Sequence, residues 1–444
     1  MANRYWVGGT GNWSDNTNHW SDSSGGSGGA SVPTSSDNVY VDANSGSGTI
    51  TINATAYCLD FDMSASSITT LAGSSTLYVY GNFVLKSGLT LTYTGNLNFY
   101  ATSTGKNITF GGNNILSNLT FNNSSGGWTF QDNLTFGAGY RSINFNAGTL
   151  DINGKTITTT TGCWSFNAYS SSYRNLTFGT ATLDKINTFN LYNASNLTTS
   201  LESSTIIFNS SSSYIGFTLN GVGKTFGDVT IYTGNYNSGL IRGANTFSNL
   251  TIINGGNSID VELYDNQTIT GTFSASSANY RLCIRATKTT QKTISAGTVS
   301  CSNVDFFKIN GAGSGSWDLS SNNCGDMGGN AGITFPTPVT RYWIATSGGY
   351  WQNTSSWSED SGGTGGSSVP LCHDTAIFDS NSISVADSVI NVSQVWQALP
   401  ELDFSNLSTT ARFYTAAGNI TTKNIDLTNI SSLGGSTLDF DVVS

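Results

Sequence analysis

The sequence predicts an all-β protein, a right-handed parallel β-helix (β-solenoid) with Trp-rich capping modules. Three observations predict it: few helix-forming residues, short strands of alternating apolar and polar residues, and a Trp-rich module that occurs twice. The 444 residues include 51 glycines and five prolines, and 10% are charged while 37% are hydrophobic. Ser, Thr, Asn and Gly supply most of the polarity, which suits many short strands joined by tight turns.

A four-residue strand pattern recurs along the chain. "NLNF", "NLTF" and "NLTI" begin at Asn96, Asn118, Asn133, Asn175 and Asn249. Alternation turns Leu and Phe inward and Asn and Thr outward. The first separation, 22 residues, suits one coil of a parallel β-helix, whereas the following 15 and 42 do not, and an antiparallel sandwich would show the same strands. We expect these side chains to be buried: Leu97, Phe99, Leu119, Phe121, Leu134, Phe136, Leu176 and Phe178.

A second local pattern is "GTLDINGKTITTTT" at 148–161, which predicts a strand, an Asn-Gly turn and another strand. No segment shows a helical period of comparable length.

The Trp-rich module at Arg4–Pro33 returns at Arg341–Pro370, 337 residues later. We interpret each copy as a cap whose buried rings close the open end of a solenoid. The alternative is that exposed rings stack on a glycan. The tryptophans concerned are Trp6, Trp13, Trp20, Trp343, Trp351 and Trp357.

These repeats divide the chain into a Trp-rich cap module (1–43), a β-solenoid (44–335), a Pro-containing linker (336–340), a second cap module (341–382) and the start of a second, incomplete β-solenoid (383–444). Because a half-built solenoid would expose an open sheet end, we expect the natural polypeptide to continue beyond Ser444.

Two sets of motifs carry a family resemblance. The series Trp6, Gly11, Trp13, Trp20, Pro33, Asp37 and "VYVD" at 39–42 resembles the opening of many bacterial autotransporter and adhesin β-helices. "CLDF" (58–61), "STLYVYGNFVL" (75–85), "FNAGTLDINGKTITT" (145–159) and "ISAGTVSCSNVDF" (294–306) resemble large β-solenoid repeat proteins of phages and environmental bacteria. The resemblance implies an architecture and assigns no chemistry.

Metal and cofactor sites find little support in the sequence. The six cysteines include no Cys-x-x-Cys pair, and His19 and His373 lie far apart. We expect buried free thiols, with a Cys283–Cys301 disulfide as the alternative. The pairs Asp37/Asp42 and Asp374/Asp379 supply too few oxygens for calcium, so we interpret them as turn caps. We therefore expect no cofactor and no metal.

Catalysis finds no support either. Asp60 and Asp62 in "LDFDM" share a face, as a depolymerase requires, but the second copy has Ser405 after Asp403. We expect no enzyme. A net charge of −10 without a Lys/Arg cluster predicts no nucleic-acid partner.

The chain shows neither a secretory signal nor an apolar stretch that would insert into a membrane. With Met1 as the natural start, it is made in the host cytoplasm. Our hypothesis is a non-enzymatic virion structural protein, a phage fibre, tail or head-appendage subunit for reach and host attachment. Its partners would be other virion proteins and a host-surface glycan, in a homo-oligomer with a trimer as the first assumption. The alternatives are a bacterial surface adhesin, at the cell surface or extracellular, and a tailspike-like polysaccharide depolymerase.

Overall fold

The computed structural model of the protein describes residues 2–209, 216–233, 239–256, 259–278, 280–287, 289–392, 398–415, 419–422, 424–426, 428–434 and 439–442. They form an all-β structure of stacked parallel coils, with one 3-10 turn at Thr354–Ser356 in the described parts. The predicted β-solenoid is confirmed, while its right-handed sense stays a prediction. None of the described helical segments has the length and apolar character needed to span a membrane.

The chain forms two compact units. The first comprises Met1–Ser212, Thr218–Thr230 and Asn245–Ser248. Its strands are Asn3–Trp6, Gly11–Asn12, Trp20–Ser21, Asn38–Tyr40, Thr49–Ile52, Ala56–Cys58, Phe61–Asp62, Thr70–Gly73, Leu77–Val79, Phe83–Val84, Thr90–Leu91, Leu97–Phe99, Lys106–Thr109, Asn114–Ile115, Leu119–Phe130, Leu134–Phe136, Arg141–Asp151, Thr156–Thr159, Trp164–Asn167, Arg174–Thr177, Thr182–Asn190, Leu197–Asn209 and Thr218–Asn220.

The second unit comprises Ser213–Phe217, Ile231–Ala244 and Asn249–Ser444, and the strands Thr225–Thr233 and Thr246–Asn254 contain residues of both units. Its other strands are Gly239–Arg242, Ile259–Leu263, Gln267–Ser277, Leu282–Ala286, Lys292–Ser302, Val304–Phe307, Ile309–Ala312, Gly325–Asp326, Thr340–Trp343, Gly349–Tyr350, Trp357–Ser358, Thr375–Ile377, Ser388–Val392, Glu401–Asp403, Ala411–Thr415, Asn419–Thr422, Ile425–Asp426, Ile430–Gly434 and Asp439–Val442.

Coils in the middle of the first unit contribute strands to three parallel ladders, which explains the uneven spacing of the sequence pattern. Leu97 pairs with Leu119, 22 residues on, because both lie on one ladder. Leu134, only 15 residues after Leu119, belongs to another ladder, where it pairs with Ile157. Leu176 lies on the third ladder, opposite Leu150. The repeated motif thus marks a strand without marking its side of the coil.

The Asn-Gly turn of the 148–161 segment is a corner rather than a hairpin. Asn153 and Gly154 both adopt positive φ angles, 55° and 68°, as the predicted turn requires. The strands on either side, however, pair with neighbouring coils in parallel and not with each other. A turn that usually reverses a strand here carries the chain from one ladder to the next.

The interior of the first unit is a continuous stack of apolar side chains. All the side chains predicted to be buried are at most 2% exposed. Phe121, for example, stacks on Phe99 with ring centroids 4.9 Å apart and meets Trp128 edge-on at 5.3 Å. Such contacts between successive coils supply the main stabilisation of the stack.

We expect Phe121→Ala to lower the free energy of unfolding by about 3–5 kcal/mol, because it removes a ring packed between two coils. Urea unfolding followed by circular dichroism measures this. The control is Thr120→Ala on the outward face of the same strand, with an expected loss below about 1 kcal/mol. Equal losses in the two variants would contradict the assigned inward and outward sides.

Candidate functional site

The first Trp-rich module folds around two strand pairings. Asn3–Trp6 runs antiparallel to Trp20–Ser21 and parallel to Asn38–Tyr40, so that Trp6 lies opposite Trp20. The Trp20 ring meets Trp6 edge-on at 5.1 Å and Trp13 at 4.8 Å. These three rings are at most 1% exposed. A ring that binds sugar must offer a face to solvent, so their burial favours packing over glycan contact.

Indole nitrogens tie the rings to the backbone of the module. Trp6 Nε1 donates to the Gly9 carbonyl at 2.8 Å, and Trp20 Nε1 donates to the Trp13 carbonyl at 2.7 Å. These bonds satisfy two of the polar groups that the rings carry into the interior.

The second module repeats this arrangement. Trp343 lies opposite Trp357 in an antiparallel pair, and their rings meet edge-on at 5.1 Å. Trp351 meets Trp357 at 4.6 Å and accepts its indole hydrogen bond at 2.7 Å through the backbone carbonyl. All three rings are fully buried. The copies are thus alike in pairing and ring geometry as well as in sequence.

One difference between the copies lies in the first loop. In the first module the His19 ring stacks on Trp6 at 4.8 Å and fills the space where a side chain at Gly11 would be. The second module has Ser356 at the position of His19, and its hydroxyl donates to the Tyr350 carbonyl at 3.3 Å. The absence of the large ring explains why the second loop tolerates a different glycine arrangement.

The module aspartates cap turns, as the sequence predicts. Asp37 accepts the Thr34 N–H at 3.0 Å and the Thr34 hydroxyl at 2.7 Å, and Asp374 accepts the Leu371 N–H at 2.6 Å. Asp42 and Asp379 each accept the N–H two residues on, at 2.9 Å. Carboxylates used in this way stabilise the turns before and after the strands that they flank. Among the described residues, no group of three or more His, Cys, Asp or Glu side chains is arranged to hold a metal ion.

Asp60 and Asp62, the residues of the depolymerase alternative, also bind backbone. Asp60 accepts the N–H of Asn82 at 2.7 Å, and Asp62 accepts the N–H of Ser64 at 2.8 Å. Both carboxylates therefore have structural partners within the coil stack.

All six cysteines are buried free thiols, as predicted. The alternative Cys283–Cys301 disulfide is absent because the two residues lie on different ladders: Cys283 pairs with Asp305, and Cys301 with Ala275. Burial raises the pKa of the Cys283 thiol well above its usual value, so it stays protonated at neutral pH.

Near Cys283, the second unit contains a buried ion pair that the sequence pattern did not indicate. Arg281 Nε donates to Asp305 Oδ2 at 2.7 Å. The Cys372 thiol of the second module donates to the same carboxylate at 3.5 Å, and His373 Nδ1 accepts the Asp326 N–H at 2.9 Å. The equivalent residues of the first module are Ser35 and Ser36. The second module thus departs from the repeat where it contacts the preceding coils.

The outer side of one ladder in the first unit carries a column of phenol, hydroxyl and amide side chains. Successive coils place these residues in register: Tyr57, Tyr78, Asn98, Thr120, Asn144, Asn167, Asn190 and Asn220. Four more tyrosines lie two residues beyond column positions: Tyr80, Tyr100, Tyr169 and Tyr192. We call these twelve residues the Tyr–Asn face. Its members were not predicted because their alignment depends on coil lengths that the sequence does not display.

A buried arginine holds one end of this face. Arg174 is fully buried, and its guanidinium donates to the carbonyls of Ala168 at 2.6 Å, Asn193 at 2.6 Å and Ser195 at 3.0 Å. Burial without a carboxylate lowers the pKa of Arg174. The carbonyls belong to the two corners that carry Tyr169 and Tyr192, which lie with ring centroids 5.8 Å apart. The arginine thus fixes both corners to each other.

None of the protein-family models, curated proteins or solved structures compared with the chain matches it. The likeness to phage and adhesin solenoids therefore remains a resemblance of motifs, and a functional proposal has to rest on the geometry of the chain itself.

We expect Trp6→Ala to cost roughly 3–5 kcal/mol of unfolding free energy, because it leaves a cavity beside Trp20 and His19. Thermal and urea unfolding measure the loss. The control is Asp22→Asn, which removes a charge that is 76% exposed and faces Arg4, and which should cost less than about 1 kcal/mol. Unchanged stability combined with lost binding to host cells or glycans would instead make the module a receptor-binding site.

Asp37→Asn should destabilise the protein in a pH-dependent way. Burial raises the pKa of the Asp37 carboxyl, but hydrogen bonds from Thr34 and Ala2 outweigh it and hold the pKa below its usual value. The carboxylate therefore stabilises the fold above its unfolded pKa, and this contribution is lost as pH falls through the folded pKa. We expect a deficit of about 1–3 kcal/mol near neutral pH that shrinks below pH ~4. Urea unfolding across this range tests it, and a constant deficit would contradict the capping role.

Proposed function

We propose that the protein is a non-enzymatic structural subunit of a virion, such as a phage fibre, tail or head-appendage subunit, that gives reach and host attachment. The observation that carries this proposal is the duplicated module. The pairing of Trp343 with Trp357 reproduces that of Trp6 with Trp20, including the edge-on ring contact of 5.1 Å. A chain built by repeating a structural unit gains length without adding new chemistry.

The coil stack suits a spacer. Within a unit, each coil adds about 4.8 Å along the stack through the spacing of hydrogen-bonded strands. Side chains of successive coils interlock, as in the Phe99–Phe121 stack, so the length is reached by a stiff element.

Side chains that often serve catalysis have structural partners here, which supports a non-enzymatic role. Asp60 holds the backbone of Asn82, His19 stacks on Trp6, and His373 accepts a backbone hydrogen bond from Asp326. We propose that the partners are other virion proteins and further copies of the chain, with a trimer as the first assembly to test.

Mass spectrometry of particles purified from the source culture tests the proposal, together with immunogold labelling by antibodies against the recombinant chain. We expect the polypeptide in the particles and gold on a tail, fibre or head appendage. Purified particles that lack the polypeptide would refute the virion role. Gold on the surface of intact uninfected cells would favour the adhesin alternative.

A further inference from the structure

We propose that the Tyr–Asn face binds a chain of neutral sugars. This deepens the attachment role proposed above, because it names the chemistry of the ligand and the part of the first unit that contacts it. The site differs from the six tryptophans, whose rings are buried.

The aromatic rings that the described residues expose are of one kind. The large exposed aromatics are all tyrosines: Tyr57, Tyr140, Tyr169, Tyr173, Tyr192, Tyr232, Tyr350 and Tyr414. Burying a ring stabilises a fold, so an exposed ring calls for another explanation. A tyrosine offers an apolar face and a hydroxyl together, which suits a sugar, whose ring faces are apolar and whose edges are polar.

Tyrosines lie at both ends of the face. Tyr57 stacks on Tyr78 at 5.2 Å, and Tyr78 meets Tyr100 edge-on at 5.5 Å. At the other end, Tyr169 is 51% exposed and Tyr192 is 65% exposed. The six coil steps from Tyr57 to Asn190 span about 29 Å at ~4.8 Å each. That length matches an extended oligosaccharide rather than a single sugar.

Amides and a hydroxyl fill the column between the two groups of tyrosines. Asn167 Nδ2 donates to Asn144 Oδ1 at 3.3 Å, and Asn220 Nδ2 donates to Asn190 Oδ1 at 3.2 Å. A primary amide has two donor hydrogens and an acceptor oxygen with two lone pairs, so each amide in such a chain retains hydrogen-bonding capacity. Side chains that donate and accept at regular intervals match the hydroxyls of a glycan.

Charge determines which class of glycan fits. The column positions carry no Lys, Arg, Asp or Glu, and the whole chain has a net charge of −10. An acidic polysaccharide or a nucleic acid would approach without a compensating cation on the face and against the overall charge. A neutral chain avoids this cost.

The tyrosine corners are held in place before any ligand arrives. Arg174 binds the carbonyls of Ala168 and Asn193, next to Tyr169 and Tyr192 respectively. A buried guanidinium is costly unless it is fully hydrogen-bonded, and here it joins the two corners. Corners fixed in advance lose less conformational entropy on binding.

Native gels cast with soluble neutral polysaccharides test the proposal on the full chain: dextran, a galactomannan and a mixed-linkage β-glucan, with alginate as the acidic comparison. We expect at least one neutral gel to retard the protein more than alginate does. The double variant Tyr169→Ser/Tyr192→Ser should weaken that binding about tenfold or more. Tyr350→Ser, a 50% exposed tyrosine of the second unit, is the matched control and should bind like the unchanged protein. Circular dichroism and unfolding midpoints establish that all variants are folded.

Three outcomes would overturn the inference: no retardation of the folded protein in any neutral gel, equal loss in the double variant and the control, or preference for alginate. A change of oligomeric state in the double variant, measured by light scattering, would instead assign the face to contacts between copies. The virion proposal is decided separately. Particles that contain a chain without glycan binding leave the virion role intact, whereas glycan binding by a chain absent from particles does the reverse.

Discussion

Parallel pairing between successive coils is the constraint on which the rest of the structure depends. Each strand hydrogen-bonds to the equivalent strand one coil away, so side chains of the same orientation fall into columns. An inward column must be apolar throughout, as in the series Leu77, Leu97 and Leu119. An outward column is equally continuous, and whatever chemistry one coil presents is multiplied along the stack. Core packing and surface chemistry are thus set by the same register.

The low charge of the protein follows from this register. Like charges repeated at one column position would lie about 4.8 Å apart and repel one another. Neutral amides and hydroxyls can instead hydrogen-bond from coil to coil, as Asn167 does with Asn144. The 10% charged fraction is therefore compatible with a large exposed surface, whose polarity comes from Asn, Ser and Thr. The same choice leaves amide columns able to contact neutral polar ligands.

Local signals allowed much of the fold to be predicted, and the missing information was long-range. The alternation in "NLTF" predicts a strand and its inward side chains, and the side chains of Leu119 and Phe121 are buried accordingly. What alternation cannot convey is coil length, which varies because corners differ. Leu97 and Leu119 are 22 residues apart, whereas Leu150 and Leu176, also neighbours, are 26 apart. Without these lengths, neither the alignment of Tyr57 with Tyr78 nor the corners joined by Arg174 can be inferred from the sequence.

The two Trp-rich modules show which features the local fold requires and which depend on location. The edge-on tryptophan pairs, the aspartate caps and the antiparallel strand pair are the same in both copies, so they form a self-contained packing unit. The copies differ where other residues are contacted: Cys372 and His373, which bond to Asp305 and Asp326, stand in place of Ser35 and Ser36. A module with a constant interior and variable contacts can be reused at different positions in a chain. That property explains why such an aromatic-rich segment recurs almost unchanged after more than three hundred residues.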